Sequence, residues 1–244
     1  RRFCAAPGCE PCRMSVLTPD AVKALWLSVQ IALLALPAYA AAAVLLGYAL
    51  QFGLRRPAWL DALITIPLVF PPVVIGFALL WLLGRESLLG RALQLVGVNF
   101  VFTFPGLLLA AFIAGLPLAV KTLQTALQTH PRVWHEVALT LGRGPRNVYA
   151  TMHLPIALPA LLGGLLLALA RGMGEVGISL MLGGNILGRT ETLSLAMFNT
   201  VTTGDYAQAA WLSALLGGFS LVLFVAVRLL QNKELAKHDV FHPG

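Results

Sequence analysis

Long apolar segments alternate with short polar ones along this chain, and the apolar segments predict membrane-spanning helices. About five segments qualify, at roughly 24–50, 59–83, 104–125, 156–183 and 206–230. Because a helix rises about 1.5 Å per residue, each can cross about 30 Å of hydrocarbon. We therefore predict an all-α integral membrane protein with about five transmembrane helices.

Composition agrees with this pattern. The chain has 244 residues, of which 58% are hydrophobic and 11% charged, with a mean hydropathy of +0.82. A soluble domain carries about 25% charged residues and could not bury this much apolar surface at this length. The net charge of +7 is scattered between the apolar segments, so it indicates membrane topology and predicts no nucleic-acid partner.

The distribution of lysine and arginine predicts the orientation. One set of predicted loops and segment ends holds nine basic residues: Arg55, Arg56, Lys121, Arg132, Arg143, Arg146, Arg228, Lys233 and Lys237. The opposite set holds four, Lys23, Arg85, Arg91 and Arg189, or seven with Arg1, Arg2 and Arg13. Because basic loops stay on the cytoplasmic side, we expect the C-terminus in the cytoplasm and the N-terminus outside.

The polar stretch at 126–155 is expected to fold outside the bilayer. Pro131 suits the first position of an amphipathic helix, and Gly142 stands where a helix end requires a positive φ. Gly144-Pro145 then begins a second short helix, which we expect Pro155 to end.

This stretch resembles the cytoplasmic-loop signature of ABC-importer permeases. Glu136, Ala138, Gly142 and Leu154-Pro155 match at the family's spacing, with Val137 where alanine is usual and Met152 where isoleucine is commoner. The resemblance implies a type I ABC importer permease fold with a coupling helix that docks into a separate ATPase. The residues to which it assigns ATPase coupling are Glu136, Val137, Ala138, Gly142, Leu154 and Pro155.

The second apolar segment contains three prolines, Pro67, Pro71 and Pro72, which remove three backbone donors and prevent a straight helix. Such a break is tolerated where protein covers it or where it lines a water-filled path. A packed kink and a pore-lining break both remain open, and Pro71 and Pro72 are candidate path residues. The run from Pro67 to Gly76 resembles the molybdate-importer permeases.

The fourth apolar segment carries two charges. Arg171 and Glu175 are four residues apart, so on one helix they share a face and can pair. Small-residue pairs, Ala168 with Gly172 and Ala170 with Gly174, predict close helix contacts. The segment resembles the same permeases, with Val176 where they have phenylalanine. Arg171, Gly174, Glu175 and Gly177 are therefore candidates for a translocation path or gate, the alternative being a structural clamp.

The following outer loop, from Gly183 to Thr192, resembles molybdate and tungstate permeases. Arg189 is its strong cation and a candidate for the outer mouth, where it would meet the anion or a binding protein. A surface charge with no role is the alternative.

The first 21 residues are expected to be an N-terminal extension, external or disordered, with a natural start at Met14. They contain all three cysteines, Cys4, Cys9 and Cys12, and we interpret these as incidental rather than as a metal site. The permease domain is expected at 22–232 and a short cytoplasmic tail at 233–244.

Chemistry by this chain is not expected. Lys121-Thr122 follows Val120, where a phosphate-binding loop needs glycine, and Ser179 has no histidine at its depth to act as a base. We predict no catalytic residue, no metal and no cofactor bound by the chain, with ATP and Mg²⁺ on the partner subunit.

The resemblance covers about residues 22–232 and implies a molybdate importer in a bacterial or archaeal cytoplasmic membrane. It implies a homodimer of this permease, two copies of an ABC ATPase and an external oxyanion-binding protein. Tungstate and sulfate permeases remain alternatives. A proton-coupled secondary transporter, with Arg171 and Glu175 as the relay, is the alternative of another class.

Overall fold

The computed structural model describes residues 19–52, 58–129, 140, 142 and 144–239, and every regular element in those ranges is helical. The helices are α1 (Pro19–Phe52), α2 (Ala58–Val69), α3 (Pro72–Leu83), α4 (Leu88–Leu95), α5 (Phe104–Thr129), α6 (Pro145–Val148), a π-helical turn (Tyr149–His153), α7 (Leu154–Met173), α8 (Gly177–Gly183), α9 (Leu193–Thr202) and α10 (Tyr206–Asp239).

Three helical segments in the described residues are long and apolar enough to cross a membrane: α1, α5 and the continuous stretch Pro145–Met173. The pair α2 and α3 meets the same criteria only as a unit, bent by 118°, which gives up to four spans by length and composition. The described apolar part of α10, Tyr206–Val222, is shorter. The all-α membrane fold is confirmed, and the proline-rich segment does not form a straight helix.

Helix α5 lies at the centre, between α1 and α7. Tyr39 of α1 is fully buried, and its hydroxyl donates to the Ala111 carbonyl of α5 at 2.6 Å. A Cβ on Gly172 of α7 would lie 2.5 Å from that hydroxyl and 3.0 Å from the same carbonyl. The close contact predicted for Ala168 and Gly172 is therefore confirmed, because only a small residue fits there.

The other predicted small-residue pair lies on a different face of α7. Ala170 and Gly174 are exposed in the isolated chain, so they make no close helix contact within it. The sequence pattern identified two faces of α7 that are formed by small residues, and α5 covers one of them.

The prediction of one uninterrupted segment at 156–183 is wrong. Helix α7 ends at Met173, and α8 begins at Gly177. Gly172, Gly174 and Gly177 concentrate three weak helix formers within six residues, and Val176 adopts φ −109°. The chain therefore turns at this point instead of continuing as one helix.

The prediction that Pro155 ends a helix is also wrong. The chain stays helical from Pro145 to Met173, and Pro155 lies in the first turn of α7. The π-helical turn before it shifts the register, so that the Leu154 N–H bonds to the Tyr149 carbonyl, five residues back. Proline lacks an N–H, and the wider turn accommodates it without breaking the helical path.

Candidate translocation path and coupling region

The break between α2 and α3 is formed at Pro71-Pro72. The Phe70 N–H bonds to the Ile66 carbonyl at 3.0 Å and completes α2, while Pro71 takes extended backbone angles and Pro72 opens α3. Because Pro71 and Pro72 have no N–H, the break leaves no donor of theirs unpaired. The proline pair thus makes the sharp bend in the second segment.

Helix α8 packs directly on α3 just after this break. A Cβ on Gly177 would lie 3.0 Å from Cβ of Pro72, and one on Gly76 would lie 2.9 Å from Cβ of Met181 and 3.0 Å from Cα of Ile178. The structure therefore brings Pro72 and Gly177 together, two candidate path residues that lie 105 positions apart in the sequence. Two interrupted segments meet at their interruptions.

Arg171 and Glu175 form an ion pair, with Arg171 Nη1 2.7 Å from Glu175 Oε2. The Glu175 side chain is 2% exposed and the Arg171 side chain 37% exposed. The other carboxylate oxygen of Glu175 accepts the Ile178 N–H at 3.0 Å and so caps the start of α8. The pairing allowed by the sequence is present, although Glu175 lies beyond the end of α7 rather than on its face.

The surroundings of Glu175 tie the break to α9. Ser194 donates to the Glu175 carbonyl at 3.3 Å, and Ser194 and Thr192 hydroxyls are 2.9 Å apart. The small cavity beside these groups, lined in part by Ser28 and Ser179, has a volume of about 10 Å³. That volume suits about one water molecule and is too small to hold a tetrahedral oxyanion. Gly174 and Arg171 instead face the open side of α7.

The loop from Gly183 to Thr192 has a polar network that does not include the Arg189 side chain. Thr190 donates to the Gly183 carbonyl at 2.6 Å, and buried Glu191 accepts from Asn199 at 2.7 Å. Arg189 is exposed and forms no ion pair with the residues that the structure describes. The sequence analysis missed Asn199 and Glu191. The only indication was two polar residues eight positions apart, Glu191 just before the apolar helix α9 and Asn199 within it.

Three of the predicted coupling residues, Glu136, Val137 and Ala138, lie outside the described residues. Gly142 is described and has φ +76°, which confirms the positive φ expected there. Leu154 is half-buried and Pro155 exposed at the start of α7. The ATPase-coupling role of all six residues remains a prediction.

Aromatic residues that the sequence analysis did not single out anchor this region to α1. Tyr149 is buried in the π-helical turn, and its hydroxyl donates to the Val44 carbonyl at 2.9 Å. The rings of Phe52 and His153 have centroids 4.8 Å apart, and those of Tyr48 and Tyr149 are 5.1 Å apart. The loop signature did not predict these contacts, because Tyr149 and His153 occupy positions at which it specifies no residue.

An ion pair on the same side of the bundle links α2 to α5. Lys121 Nζ lies 2.6 Å from Asp61 Oδ1, and Gln124 donates to the same oxygen at 3.1 Å. Both charged side chains are partly exposed, at 30% for Lys121 and 39% for Asp61. The sequence signal was a carboxylate one turn into an apolar helix, where a charge needs a partner.

Residues 39–233 match the model of the binding-protein-dependent transport system inner membrane component family. The chain belongs to this family. It is therefore a membrane-spanning permease component of the inner membrane.

Several relatives of this permease are named as molybdenum transport system permease proteins. It is 39% identical over 179 residues to the molybdenum transport system permease protein ModB of Azotobacter vinelandii, covering 73% of this chain and 78% of the relative. The ModB proteins of Haemophilus influenzae and Mycobacterium tuberculosis are 36% and 37% identical; the first pairing covers 73% and 76% of the two chains and the second 87% and 81%.

Solved structures share the fold of this permease. A bacterial ABC transporter that imports the acidic polysaccharide alginate matches with a TM-score of 0.71 at 13% identity, covering 89% of this chain and 80% of that one. The inward-facing methionine ABC transporter MetNI matches with a TM-score of 0.64 at 17% identity, covering 91% and 97%. At these identities the likeness shows the ABC importer permease fold alone.

Proposed function

We propose that this permease is the transmembrane subunit of an ATP-driven molybdate importer. The observation that carries the proposal is the 36–39% identity to molybdenum permeases across most of the chain. The likeness of the fold to ABC importer permeases supports the same transport class. The tetrahedral molybdate dianion is the proposed substrate, with tungstate and sulfate as the competitors to exclude.

The proposed path runs along the open side of α7, past Gly174 and Arg171, to the contact between Pro72 and Gly177. Arg171 supplies a cation on that side, while its partner Glu175 is withdrawn from it by burial. A bare carboxylate would repel a dianion. The ion pair neutralises Glu175, and the half-exposed guanidinium of Arg171 lies beside the path. Arg189 is the proposed contact at the outer mouth.

The proposed assembly contains two copies of the permease, two ATPase subunits that bind ATP and Mg²⁺, and an external oxyanion-binding protein. The loop at 131–155 faces the cytoplasm and docks into the ATPase, with the C-terminus on the same side and the N-terminus outside. The anchors on α1 support this role. Tyr149 and His153 hold the base of the loop on the bundle, so displacement of the loop moves α1 and α7 together.

Reconstitution tests this function directly. Proteoliposomes that contain the permease, its ATPase and the loaded binding protein should accumulate molybdate when ATP is supplied on the ATPase side. Vesicles with the permease alone should not. Uphill uptake without the ATPase would instead support the proton-coupled alternative, in which Arg171 and Glu175 relay protons.

The substrate is tested on the binding protein that stimulates this complex. Calorimetry with molybdate, tungstate and sulfate under the same conditions should give the tightest binding for molybdate. Uptake by the complete complex should follow the same order. Tighter binding and faster uptake of sulfate would reject molybdate while leaving the importer itself intact.

A further inference from the structure

The open side of α7 continues into a large groove toward the N-terminal end of that helix. Leu167, Ala170 and Gly174 are exposed along one face of α7, because helical positions three and four residues apart share a face. Leu167 also lines the groove, together with Gly163 one turn before it. The surface that carries the proposed path past Gly174 is therefore continuous with the groove.

The groove has room for a hydrated oxyanion. It lies between α5, α7 and α10 and has a volume of about 680 Å³. A water molecule occupies about 30 Å³, so this volume holds a tetrahedral oxyanion with a shell of water around it. The buried cavity beside Glu175, at about 10 Å³, does not. Of these two spaces beside α7, the groove is the one that can take the proposed substrate.

Two basic side chains line the groove from different helices, Lys121 of α5 and Arg228 of α10. Lys121 pairs with Asp61 at 2.6 Å, and its side chain is 30% exposed. Arg228 is exposed and forms no ion pair with the residues that the structure describes. The three side chains together carry one net positive charge, and Arg228 is the cation without a counter-ion among the described residues.

The hydroxyl groups in the groove are already used as donors. Each threonine of the lining donates to a carbonyl of its own helix, as Thr122 does to Leu118 at 2.8 Å and Thr125 to Lys121 at 2.9 Å. An anion in the groove therefore finds its side-chain donors on Lys121 and Arg228. A site with so few donors attracts a dianion without holding it tightly, as passage along a path requires.

We propose that the groove is the inner part of the translocation path and that Arg228 draws the oxyanion into it from Arg171. Leu167 and Arg171 lie four residues, or about 6 Å, apart along α7, so an anion that leaves Arg171 reaches the groove one helical turn later. Lys121 assists, and Asp61 limits its attraction by pairing with it. This inference rests on the proposed function, because it assigns a further residue to the same path, and the proposed orientation places the groove on the cytoplasmic side.

Proteoliposomes with the permease, its ATPase and the loaded binding protein test this inference when molybdate uptake and ATP hydrolysis are measured together. Arg228→Gln should lower the molybdate taken up per ATP hydrolysed about tenfold, because a cleft with one sign of charge concentrates its substrate by about that factor or more. The concentration of binding protein that half-saturates ATP hydrolysis should not change, since that protein binds at the outer face. Arg228→Lys should keep most of the uptake.

A second substitution separates the charge of Arg228 from a structural role. Asp61→Asn removes the carboxylate that pairs with Lys121, so in the Arg228→Gln background it returns the net charge of the groove to one positive unit. The double variant should recover most of the uptake lost in Arg228→Gln, with Asp61→Asn alone as the reference. If Arg228 were only structural, neutralising a carboxylate with which it forms no ion pair would restore nothing.

The matched control is Arg91→Gln, which removes the same charge from an exposed arginine on α4, outside the groove, and should leave uptake per ATP unchanged. Normal uptake by Arg228→Gln, an equal loss in Arg91→Gln or no recovery in the double variant would overturn the inference while molybdate import by the wild type still stood. Preference of the wild type for sulfate would reject molybdate alone, and the same variants compared with sulfate would decide the role of Arg228. Absence of any oxyanion uptake by the complete wild-type complex would overturn both.

Discussion

Glu175 has two separate roles in the structure. One oxygen pairs with Arg171, and the other accepts the N–H of Ile178 at the start of α8. Loss of a helix cap costs about 1 kcal/mol. Loss of Arg171 would leave the buried Glu175 carboxylate without a partner, whereas loss of Glu175 would leave Arg171, which is 37% exposed and partly solvated. The two contributions can be separated by substitution.

Glu175→Gln should therefore be milder than Glu175→Arg, because glutamine can still accept the Ile178 N–H. The double reversal Arg171→Glu with Glu175→Arg should restore the ion pair but not the cap of α8. It should therefore restore only part of the molybdate uptake and only part of the amount of permease found in the membrane. Immunoblots of membranes and uptake assays measure both.

The control for this series is the exposed pair Arg91 and Glu86, separated by 3.4 Å. Reversing either charge there should change membrane level little, because exposed ion pairs contribute about 0–1 kcal/mol. If the double reversal at 171 and 175 restores neither the amount of permease in the membrane nor molybdate uptake, the ion pair between these residues is not the reason that the single reversals are damaging.

Gly142 provides the second prediction at the scale of single residues. Its φ of +76° strains any residue with a Cβ, by about 1–2 kcal/mol, although a Cβ there would meet nothing within 4 Å. Gly142→Val should leave the permease in the membrane and disrupt the loop, so that ATP hydrolysis by the complex no longer drives uptake. Parallel assays of ATPase activity and uptake measure this coupling.

Gly144→Val is the matched control. Gly144 has φ −65° and ψ 149°, which valine tolerates before proline, and a Cβ there also meets nothing within 4 Å. In Gly144→Val, ATP hydrolysis should drive uptake as in the wild type. If it also does so in Gly142→Val, the positive φ at position 142 does not shape the docking surface.

At the scale of elements, the contact between α3 and α8 depends on glycine. Gly76→Ala would bring a Cβ to 2.9 Å from Cβ of Met181 and 3.0 Å from the Ile178 backbone, forcing the helices apart. Overpacking of this kind costs about 1–3 kcal/mol and should lower the unfolding midpoint in detergent by about 5 °C.

The same substitution in α10 serves as the control. A Cβ on Gly217 would meet nothing within 4 Å, so Gly217→Ala should be neutral or slightly stabilising because alanine favours helix. Thermal unfolding of both variants in the same detergent makes the comparison. Equal midpoints for the two would show that α3 and α8 can separate at no cost.

Sequence reasoning succeeded where a single residue determines local geometry. Pro71 and Pro72 predicted the break in the second segment, and Gly142 predicted the positive φ. It failed where geometry depends on contacts between distant segments. The turn at 174–176 is fixed by Glu175 capping α8 and by Ser194 from α9, and the residue spacing alone indicated one helix with a charged face.

The coupling region shows the same limit. A proline after a short helix ordinarily ends it, and the sequence offered no reason to expect a π-helical turn at Tyr149–His153. That turn is supported by the Val44 carbonyl and the Phe52 ring of α1, about 100 residues earlier in the chain. The pattern along one segment carries no information about such partners.

At the scale of the whole molecule, the orientation is open to a direct test. The three native cysteines lie at positions 4, 9 and 12, so replacing them with serine leaves a chain without cysteine. In that background Arg146→Cys and Arg189→Cys, both exposed, report on opposite predicted sides of the membrane. A membrane-impermeant maleimide should label position 189 in intact cells and position 146 only after permeabilisation.

Labelling of both positions from the same side would contradict the proposed topology, and labelling of position 146 alone would invert it. Because both side chains are exposed and neither forms an ion pair with a described residue, the substitutions should not disturb the fold. Uptake by the cysteine-free parent provides the reference for function.

The π-helical turn makes the permease sensitive to the number of residues at this point. It contains one residue more than an α-helical turn, and the wide turn absorbs that residue, so that the flanking stretches keep nearly the phase of one continuous helix. Deleting one residue from 149–153 would therefore leave a plain α-helix but remove the turn that places Tyr149 and His153 against α1. A one-codon deletion would in this way release the proposed docking loop from the bundle while the helix itself persists.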